Sequence, residues 1–135
     1  ICPVCYLLGA QGLVGFVRVP YLMTEESPES LYSTRIDRVS NTVAEGTSRD
    51  YQIMRDGIEF KSITPLEILL YDPAKDWTLG KEREGFGDKW VRSDEWTQER
   101  IIKELIVDRL QQIEILGGFK SKGCGKVSIA INLTP

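Results

Sequence analysis

A group of four glycines between a predicted helix and a predicted strand constrains the fold of this chain more than any other feature. The glycines lie within residues 116–127, at Gly117, Gly118, Gly123 and Gly125. Before this loop, apolar residues recur at helical spacing and predict an amphipathic helix over residues 94–113, with Ser93 or Asp94 as its cap. After it, residues 126–133 alternate apolar and polar side chains, which is typical of a half-buried strand. The chain therefore joins a helix to a strand through a loop with an unusually free backbone.

The glycine-rich loop has the composition of an anion-binding site. Successive backbone N–H groups in such a loop form a concavity for anions, and Lys120, Lys122 and Lys126 add positive charge. Contacts of this kind to phosphates are independent of nucleotide sequence. A plain turn with solvated lysines, following a left-handed helix cap at Gly117 and Gly118, has the same composition, so both interpretations stay open from composition alone.

Most of the remaining chain predicts short β structure. Residues 13–23 and 58–71 are typical of strands, and a proline inside each favours a bulge, a bend or an edge position. Residues 31–55 predict a polar hairpin that buries little and therefore projects. Residues 72–93 form a long, charged insertion. With one strand and one helix upstream, this order gives βαββαβ, so we predict one α+β domain over residues 1–135 with a ferredoxin-like (RRM-like) fold that lacks its first strand and helix.

Aromatic and basic residues interleave within the insertion. Trp77, Phe86 and Trp90 alternate with lysines and arginines, a pattern that suits single-stranded RNA. Acidic residues in the same segment weaken its positive electrostatic field. We therefore expect the insertion to pack against another subunit or to be partly mobile.

The composition excludes several classes of function. The 135 residues carry a formal net charge of −3 and contain no histidine. The acidity excludes a protein that is basic all over, although salt screening leaves room for a local basic groove. Without histidine the chain has no Ser-His or Cys-His nucleophile pair. No apolar stretch approaches the roughly 18 residues of a membrane helix and no signal peptide is visible, so we expect a cytoplasmic protein that binds no membrane.

The cysteines suggest a metal rather than a disulfide framework, because three is an odd number and nothing indicates secretion. Cys2 and Cys5 have the C-x2-C spacing of half a tetrahedral zinc site. The alternative is a pair of small buried thiols.

Three segments, in family order, resemble the CRISPR-associated RAMP superfamily (repeat-associated mysterious proteins). Residues 116–127 resemble its glycine-rich loop between the last helix and the last strand, with Cys124 where the family commonly has an aromatic residue. Residues 1–9 resemble the C-x-x-C-x-h-F-G motif, where h is apolar, with Leu8 in place of Phe. Residues 33–38, followed by residues 51–60, resemble the region from the "IDR" strand to the "G-x-x-F" strand, which forms the family's thumb hairpin. The resemblance is greatest to the repeated backbone subunit of type III effector complexes.

The resemblance implies a RAMP fold that binds guide RNA and target RNA within an antiviral complex of several subunits. The glycine-rich loop and the sheet face would hold the guide backbone, and the thumb would wedge into the guide–target duplex. The residues assigned to RNA binding on this basis are Arg18, Arg35, Arg38, Gly117, Gly118, Lys120, Ser121, Lys122, Gly123 and Gly125. A structural zinc at Cys2 and Cys5 is implied as well, with its other ligands upstream.

The resemblance also bears on catalysis. Family members that cleave target RNA use a divalent metal and an aspartate on an N-terminal loop, which would lie upstream of Ile1. We therefore expect no catalytic residue in this chain, and we reject Asp37 as a substitute because it should pair with Arg35 or Arg38. Two alternatives stay open, an endoribonuclease of the same superfamily and an RRM-like RNA-binding domain unrelated to CRISPR. A missing first strand would expose a sheet edge, so self-association is also predicted.

Overall fold

The computed structural model describes residues 2–83, 85–86, 89–92 and 95–132. It confirms the predicted α+β class, because helices and small antiparallel sheets are both present. The chain forms two compact units, which we call unit 1 (residues 1–18 and 67–135) and unit 2 (residues 19–66).

The elements are short. In chain order they are α1 (Pro3–Leu8), β1 (Val17–Arg18), β2 (Leu22–Met23), β3 (Glu29–Ser33), β4 (Arg49–Ile53), β5 (Lys61–Ser62), β6 (Glu67–Ile68), β7 (Tyr71–Asp72), β8 (Trp77–Thr78) and α2 (98–111). Single 3₁₀ turns cover Lys89–Arg92 and Lys120–Lys122. The described strands form four antiparallel pairs, which are β1 with β6, β2 with β5, β3 with β4 and β7 with β8.

Helix α1 turns the start of unit 1 back on itself. Pro3 occupies the first helical position, where its fixed φ suits a helix start, and Gly9 ends the helix with a φ of +91°. Tyr6 and Leu7 point into the core. A Cβ on Gly15 would lie 2.4 Å from the carbonyl oxygen of Leu7, so the chain can pass this close to α1 only because residue 15 is glycine.

The hydrophobic core lies in unit 1. Its buried apolar residues, among those described, are Tyr6, Leu7, Leu13, Phe16, Val17, Leu79, Val91, Ile101 and Ile106. One charged side chain, Arg83, is buried with them. Burial of apolar surface of this kind is the dominant favourable contribution to folding.

Helix α2 is continuous but changes its winding. It is α-helical over Gln98–Arg100, π-helical over Ile101–Val107 and α-helical again over Asp108–Gln111. Thr97 caps its start, since its Oγ1 accepts a hydrogen bond from the N–H of Arg100 at 3.3 Å. The caps predicted from the sequence, Ser93 and Asp94, lie outside the described residues.

The apolar face predicted for this helix is the buried one. Ile101 and Ile106 are almost fully buried within unit 1. The helix ends at Gln111, well before the glycines, so Gly117 and Gly118 do not form the left-handed helix cap that composition allowed. Their role is in the loop that follows.

Unit 2 is a two-stranded antiparallel ribbon that contains the predicted hairpin. Its pairs include Leu22 with Ser62, Glu29 with Ile53 and Ile36 with Val43. Between the first and second of these pairs, the outgoing side of the ribbon (residues 22–29) spans 7 residue steps, whereas the returning side (residues 53–62) spans 9. From the second to the third, the advances are 7 and 10. The extra residues lie in unpaired stretches of the returning side, each of which contains a turn, at residues 56–57 and 45–46.

No residue of unit 2 belongs to the buried set, although every residue from 19 to 66 is described. Large apolar side chains are instead open to solvent, with Val39 at 98% and Tyr21 at 86% exposure. An isolated two-stranded ribbon is only marginally stable in water. The side chains of unit 2 therefore supply little of the stability of this ribbon.

The final strand, predicted over residues 126–133, is not formed as a strand in its described part. Only Lys126 pairs, in a single bridge with Ile115, and Leu133 lies outside the described residues. Side chains 127–132 nevertheless alternate between half-buried and exposed, as predicted. A strand also needs a neighbouring backbone to pair with.

Part of the insertion over residues 72–93 packs into the core of unit 1. The segment continues from the β7–β8 hairpin and buries Leu79, Arg83 and Val91. The expectation that the insertion packs against another subunit or is partly mobile stays a prediction. Residues 84, 87, 88 and 93 of the insertion lie outside the described part.

Candidate nucleic-acid interface

The glycine-rich loop is an exposed segment of unit 1 with closed ends. Two backbone hydrogen bonds join its ends, from the N–H of Leu116 to the oxygen of Gly125 and from the N–H of Val127 to the oxygen of Glu114, each at 2.8 Å. Between these ends the chain makes the 3₁₀ turn Lys120–Lys122. The loop therefore has a defined shape rather than that of a flexible linker.

Glycine is required at several points of this loop. Gly117, Gly123 and Gly125 have φ values of +87°, +84° and +88°, which side-chain-bearing residues rarely adopt. At Gly125 a Cβ would lie 2.2 Å from the carbonyl oxygen of Leu116. The closed ends therefore fit only glycine at residue 125.

The loop offers donors to an anion. The backbone N–H groups of Gly117, Gly118 and Ser121 donate to no acceptor in the described part of the chain. The side chains of Lys120 and Lys122 are exposed beside them. Unused N–H groups next to ammonium groups are suited to phosphate oxygens. The structure thus brings the loop residues predicted to bind RNA together on one exposed segment.

The predicted arginines are not gathered with the loop. Arg18 lies on β1 of unit 1 and pairs with Glu67 across the β1–β6 sheet at 3.5 Å. Both side chains are more than half exposed, so this ion pair contributes little stability. Arg35 and Arg38 belong to unit 2, where they are exposed and form no ion pair with the described residues.

Asp37 does not make the ion pair predicted for it. Its carboxylate instead accepts backbone hydrogen bonds from Val39 at 2.8 Å and Ser40 at 3.1 Å. Both hydrogen bonds lower the pKa of Asp37 below its ordinary value, and the bond from the N–H of Ser40 has a larger effect than that from Val39. Arg35 and Arg38 lack it as a partner because short Asp side chains readily close a turn onto their own backbone. Asp37 therefore shapes the tip of the hairpin.

Arg83 is one of the arginines that interleave with aromatic residues in the insertion, but it is a core residue with 1% exposure. Its guanidinium carbon lies 4.4 Å from the ring centroid of Tyr6, 5.0 Å from that of Trp77 and 5.2 Å from that of Phe16. Its Nη1 also donates to the carbonyl oxygen of Val14 at 3.1 Å. A guanidinium among aromatic rings gains cation–π energy, which grows with desolvation. Arg83 is therefore unavailable to RNA and holds the insertion to the core.

Tyr6 connects the same core to the chain after β8. Its hydroxyl donates to the carbonyl oxygen of Lys81 at 2.8 Å and accepts from the N–H of Gly80 at 3.1 Å. The tyrosine itself is fully buried. The sequence does not predict this link, because the partners lie more than 70 residues apart and have no periodic pattern.

The residues present provide only half of a zinc site. Cys2 and Cys5 are free thiols at the start of α1. Among the described residues, no group of three or more Cys, His, Asp or Glu side chains could hold a metal ion. A tetrahedral structural zinc needs four ligands. Zinc at Cys2 and Cys5 stays a prediction that requires two ligands from outside the described residues.

The two thiols differ in acidity. Two hydrogen bonds from Cys5 to the Cys2 sulfur lower the pKa of Cys2; the one from the backbone N–H has the larger effect and the one from the thiol the smaller. The hydrogen bond with the Cys2 side chain raises the pKa of Cys5. Since the thiolate is the nucleophile, we expect iodoacetamide to modify Cys2 faster than Cys5 at neutral pH. The ratio of the two rates should fall as the pH rises past both pKa values. Peptide mass spectrometry across a pH series measures this ratio.

Cys5→Ser is the matched control for that experiment, because it removes the thiol but keeps the backbone N–H that lowers the pKa of Cys2 most. Cys2 should stay reactive at neutral pH in this variant. Equal labelling rates for Cys2 and Cys5 at neutral pH would contradict the assignment.

Comparisons with known proteins give the chain no relative. No protein-family model, curated protein or solved structure matches it. No helix in the described part of the chain has the length and apolar character needed to cross a bilayer.

Proposed function

We propose that this chain is an RNA-binding structural subunit of the RAMP superfamily type, acting with guide RNA, target RNA and other subunits of a type III CRISPR effector complex. The observation that carries the proposal is the exposed glycine-rich loop. Its unused N–H groups at Gly117, Gly118 and Ser121 stand beside two exposed lysines. This set of donors suits a phosphate backbone and reads no base sequence.

Features of the ribbon support the same proposal. Unit 2 holds a bulged two-stranded ribbon with exposed arginines and exposed apolar residues, and it buries no side chain of its own. An arm of this kind suits the role of the family's thumb, which inserts between paired strands of RNA. The finer fold, a ferredoxin-like RAMP domain completed by an upstream strand and helix, is part of this proposal. So is the need of the intact protein for a divalent metal if it cleaves target RNA.

The test is a double substitution, Lys120→Ala with Lys122→Ala. We expect weaker binding to single-stranded RNA of any sequence, because the lost contacts go to phosphates. The slope of log K against log salt concentration should become shallower by about 1.4, at roughly 0.7 for each contact to a single strand. Fluorescence anisotropy with labelled oligonucleotides, over a salt series from about 50 to about 300 mM, measures the RNA affinity and the salt slope.

A second double variant, Lys103→Ala with Arg109→Ala, changes the net charge equally outside both the loop and the ribbon. Both side chains are exposed on α2. It should leave the affinity and the salt slope near those of the unmodified protein. If the two double variants lose affinity equally, the charge of the protein matters but the loop does not, and the proposal fails.

A further inference from the structure

The start of helix α1 in unit 1 carries two thiols within one turn, at Cys2 and Cys5. Cys2 is the residue before the helix and has extended backbone angles, with a φ of −76° and a ψ of 163°. Extended angles are those that a following proline favours, and Pro3 takes the first helical position. The N–H of Tyr6 donates to the carbonyl oxygen of Cys2 at 3.0 Å and closes the first turn. Cys2 is therefore held outside the helix, with Cys5 as the third residue inside it.

These two positions are ones whose side chains meet at a helix start. Two residues three apart inside a helix have Cβ atoms about 5–6 Å apart, whereas a disulfide needs about 3.5–4.5 Å. A side chain on the residue before the helix is not held to that spacing, and it can reach the third helical residue. The thiol of Cys5 does hydrogen-bond the sulfur of Cys2. The two sulfurs are therefore neighbours in the reduced protein.

The two thiols differ in their access to solvent. Cys2 is exposed and Cys5 is partly exposed, whereas the next two residues, Tyr6 and Leu7, are buried and hold α1 in the core. Exchange between a thiol and a disulfide requires the disulfide to reach the attacking sulfur. Cys2 is therefore placed to react first with a molecule from solvent, and Cys5 is placed to react with Cys2.

We propose that Cys2 and Cys5 are a redox-active dithiol, which forms an intramolecular disulfide by exchange with glutathione disulfide. The proposal does not rest on the function proposed for the glycine-rich loop. It competes with the predicted zinc, because a zinc ion at this place would use the same two sulfurs as thiolates. A disulfide between Cys2 and Cys5 leaves neither sulfur as a thiolate ligand.

The exchange takes two steps. The thiolate of Cys2 attacks one sulfur of glutathione disulfide, so the bond from Cys2 to glutathione forms, the original disulfide bond breaks, and one glutathione leaves and takes up a proton. Cys5 then loses its proton and attacks the sulfur of Cys2, which forms the Cys2–Cys5 bond and releases the second glutathione. The two thiols of the chain are oxidised by two electrons, and glutathione disulfide is reduced to two glutathione thiols.

Equilibration of the full chain in glutathione buffers tests the proposal without any substitution. The disulfide forms with release of two glutathione molecules, so its equilibrium depends on the square of the glutathione concentration. At a fixed ratio of glutathione to glutathione disulfide, diluting both about 10-fold should therefore raise the ratio of oxidised to reduced pair about 10-fold. Acid quenching, alkylation of the remaining thiols and mass spectrometry measure this ratio on the tryptic peptide that ends at Arg18, which contains Cys2 and Cys5.

Cys124 is an internal control in the same chain. It is an exposed free thiol in the glycine-rich loop, far along the sequence from the other two cysteines. A mixed disulfide of Cys124 with glutathione forms with release of one glutathione, so its oxidised fraction should stay constant when the buffer is diluted. Cys5→Ser removes the sulfur that would attack Cys2 and keeps a side chain of similar size. In this variant Cys2 should respond to dilution as Cys124 does.

Three results would overturn the proposal. An oxidised-to-reduced ratio at Cys2 and Cys5 that does not change on dilution would mean that the two thiols form separate mixed disulfides. A disulfide that joins two copies of the chain, seen as a covalent dimer, would mean that the sulfurs do not meet within one molecule. A chain that holds zinc, and whose Cys2 and Cys5 stay reduced in the same buffers until a chelator is added, would mean that the pair is a metal site.

Discussion

Replacing Tyr6 by alanine should destabilise unit 1 by about 3–5 kcal/mol, the range for removing a large buried aromatic residue. The ring of Tyr6 packs against Phe16 at 5.0 Å and Trp90 at 5.2 Å, and its face covers the guanidinium of Arg83 at 4.4 Å. Alanine would remove these contacts and leave a cavity beside a buried charge. Urea unfolding followed by tryptophan fluorescence measures the effect on unit 1, because the three tryptophans of the chain all lie there.

Tyr6→Phe separates packing from hydrogen bonding. It keeps the ring but leaves the N–H of Gly80 and the carbonyl oxygen of Lys81 without the tyrosine hydroxyl. We expect a loss of about 1–3 kcal/mol, the cost of unsatisfied buried groups. A loss in Tyr6→Ala no larger than in Tyr6→Phe would mean that the ring is not part of the core.

Local patterns in the sequence predict much of this fold. The helical spacing that includes Ile101 and Ile106 identifies α2 and its buried face. The glycines within residues 116–127 predict a loop, because glycine adopts positive φ more readily than other residues. Gly117, Gly123 and Gly125 do have positive φ. The polar, turn-containing segment of residues 31–55 identifies the β3–β4 hairpin. Each of these signals depends on neighbours within a few residues.

What the sequence does not predict depends on contacts between distant residues. The alternating pattern of residues 127–132 is correct for side-chain exposure, but it cannot supply a pairing strand. Arg83 looks like any surface arginine until Tyr6 and Phe16 are brought against it from the other end of the chain.

Replacing Gly125 by alanine should open the glycine-rich loop. Its φ of +88° disfavours a side chain, and the new methyl carbon would lie 2.2 Å from the backbone oxygen of Leu116. A backbone oxygen cannot move aside as the end of a flexible side chain can. We expect the hydrogen bonds donated by Leu116 and Val127 to be lost, at a local cost of about 1–3 kcal/mol or more. Hydrogen–deuterium exchange at these two amides should rise sharply. RNA affinity should fall at least as far as in the double variant at Lys120 and Lys122.

Two glycines of the same loop provide a graded control for Gly125→Ala. Gly123 has a similar φ of +84°, but a Cβ there would meet nothing within 4 Å, so its alanine variant has the backbone strain without the collision. Gly118 has neither a positive φ nor a close neighbour, so Gly118→Ala should change exchange at Leu116 and Val127 least. The expected order of exchange rates is therefore Gly125→Ala, then Gly123→Ala, then Gly118→Ala. Equal exchange in all three variants would show that the closed ends do not depend on glycine at residue 125, and the donors at Gly117, Gly118 and Ser121 would then lose the frame that positions them for phosphate.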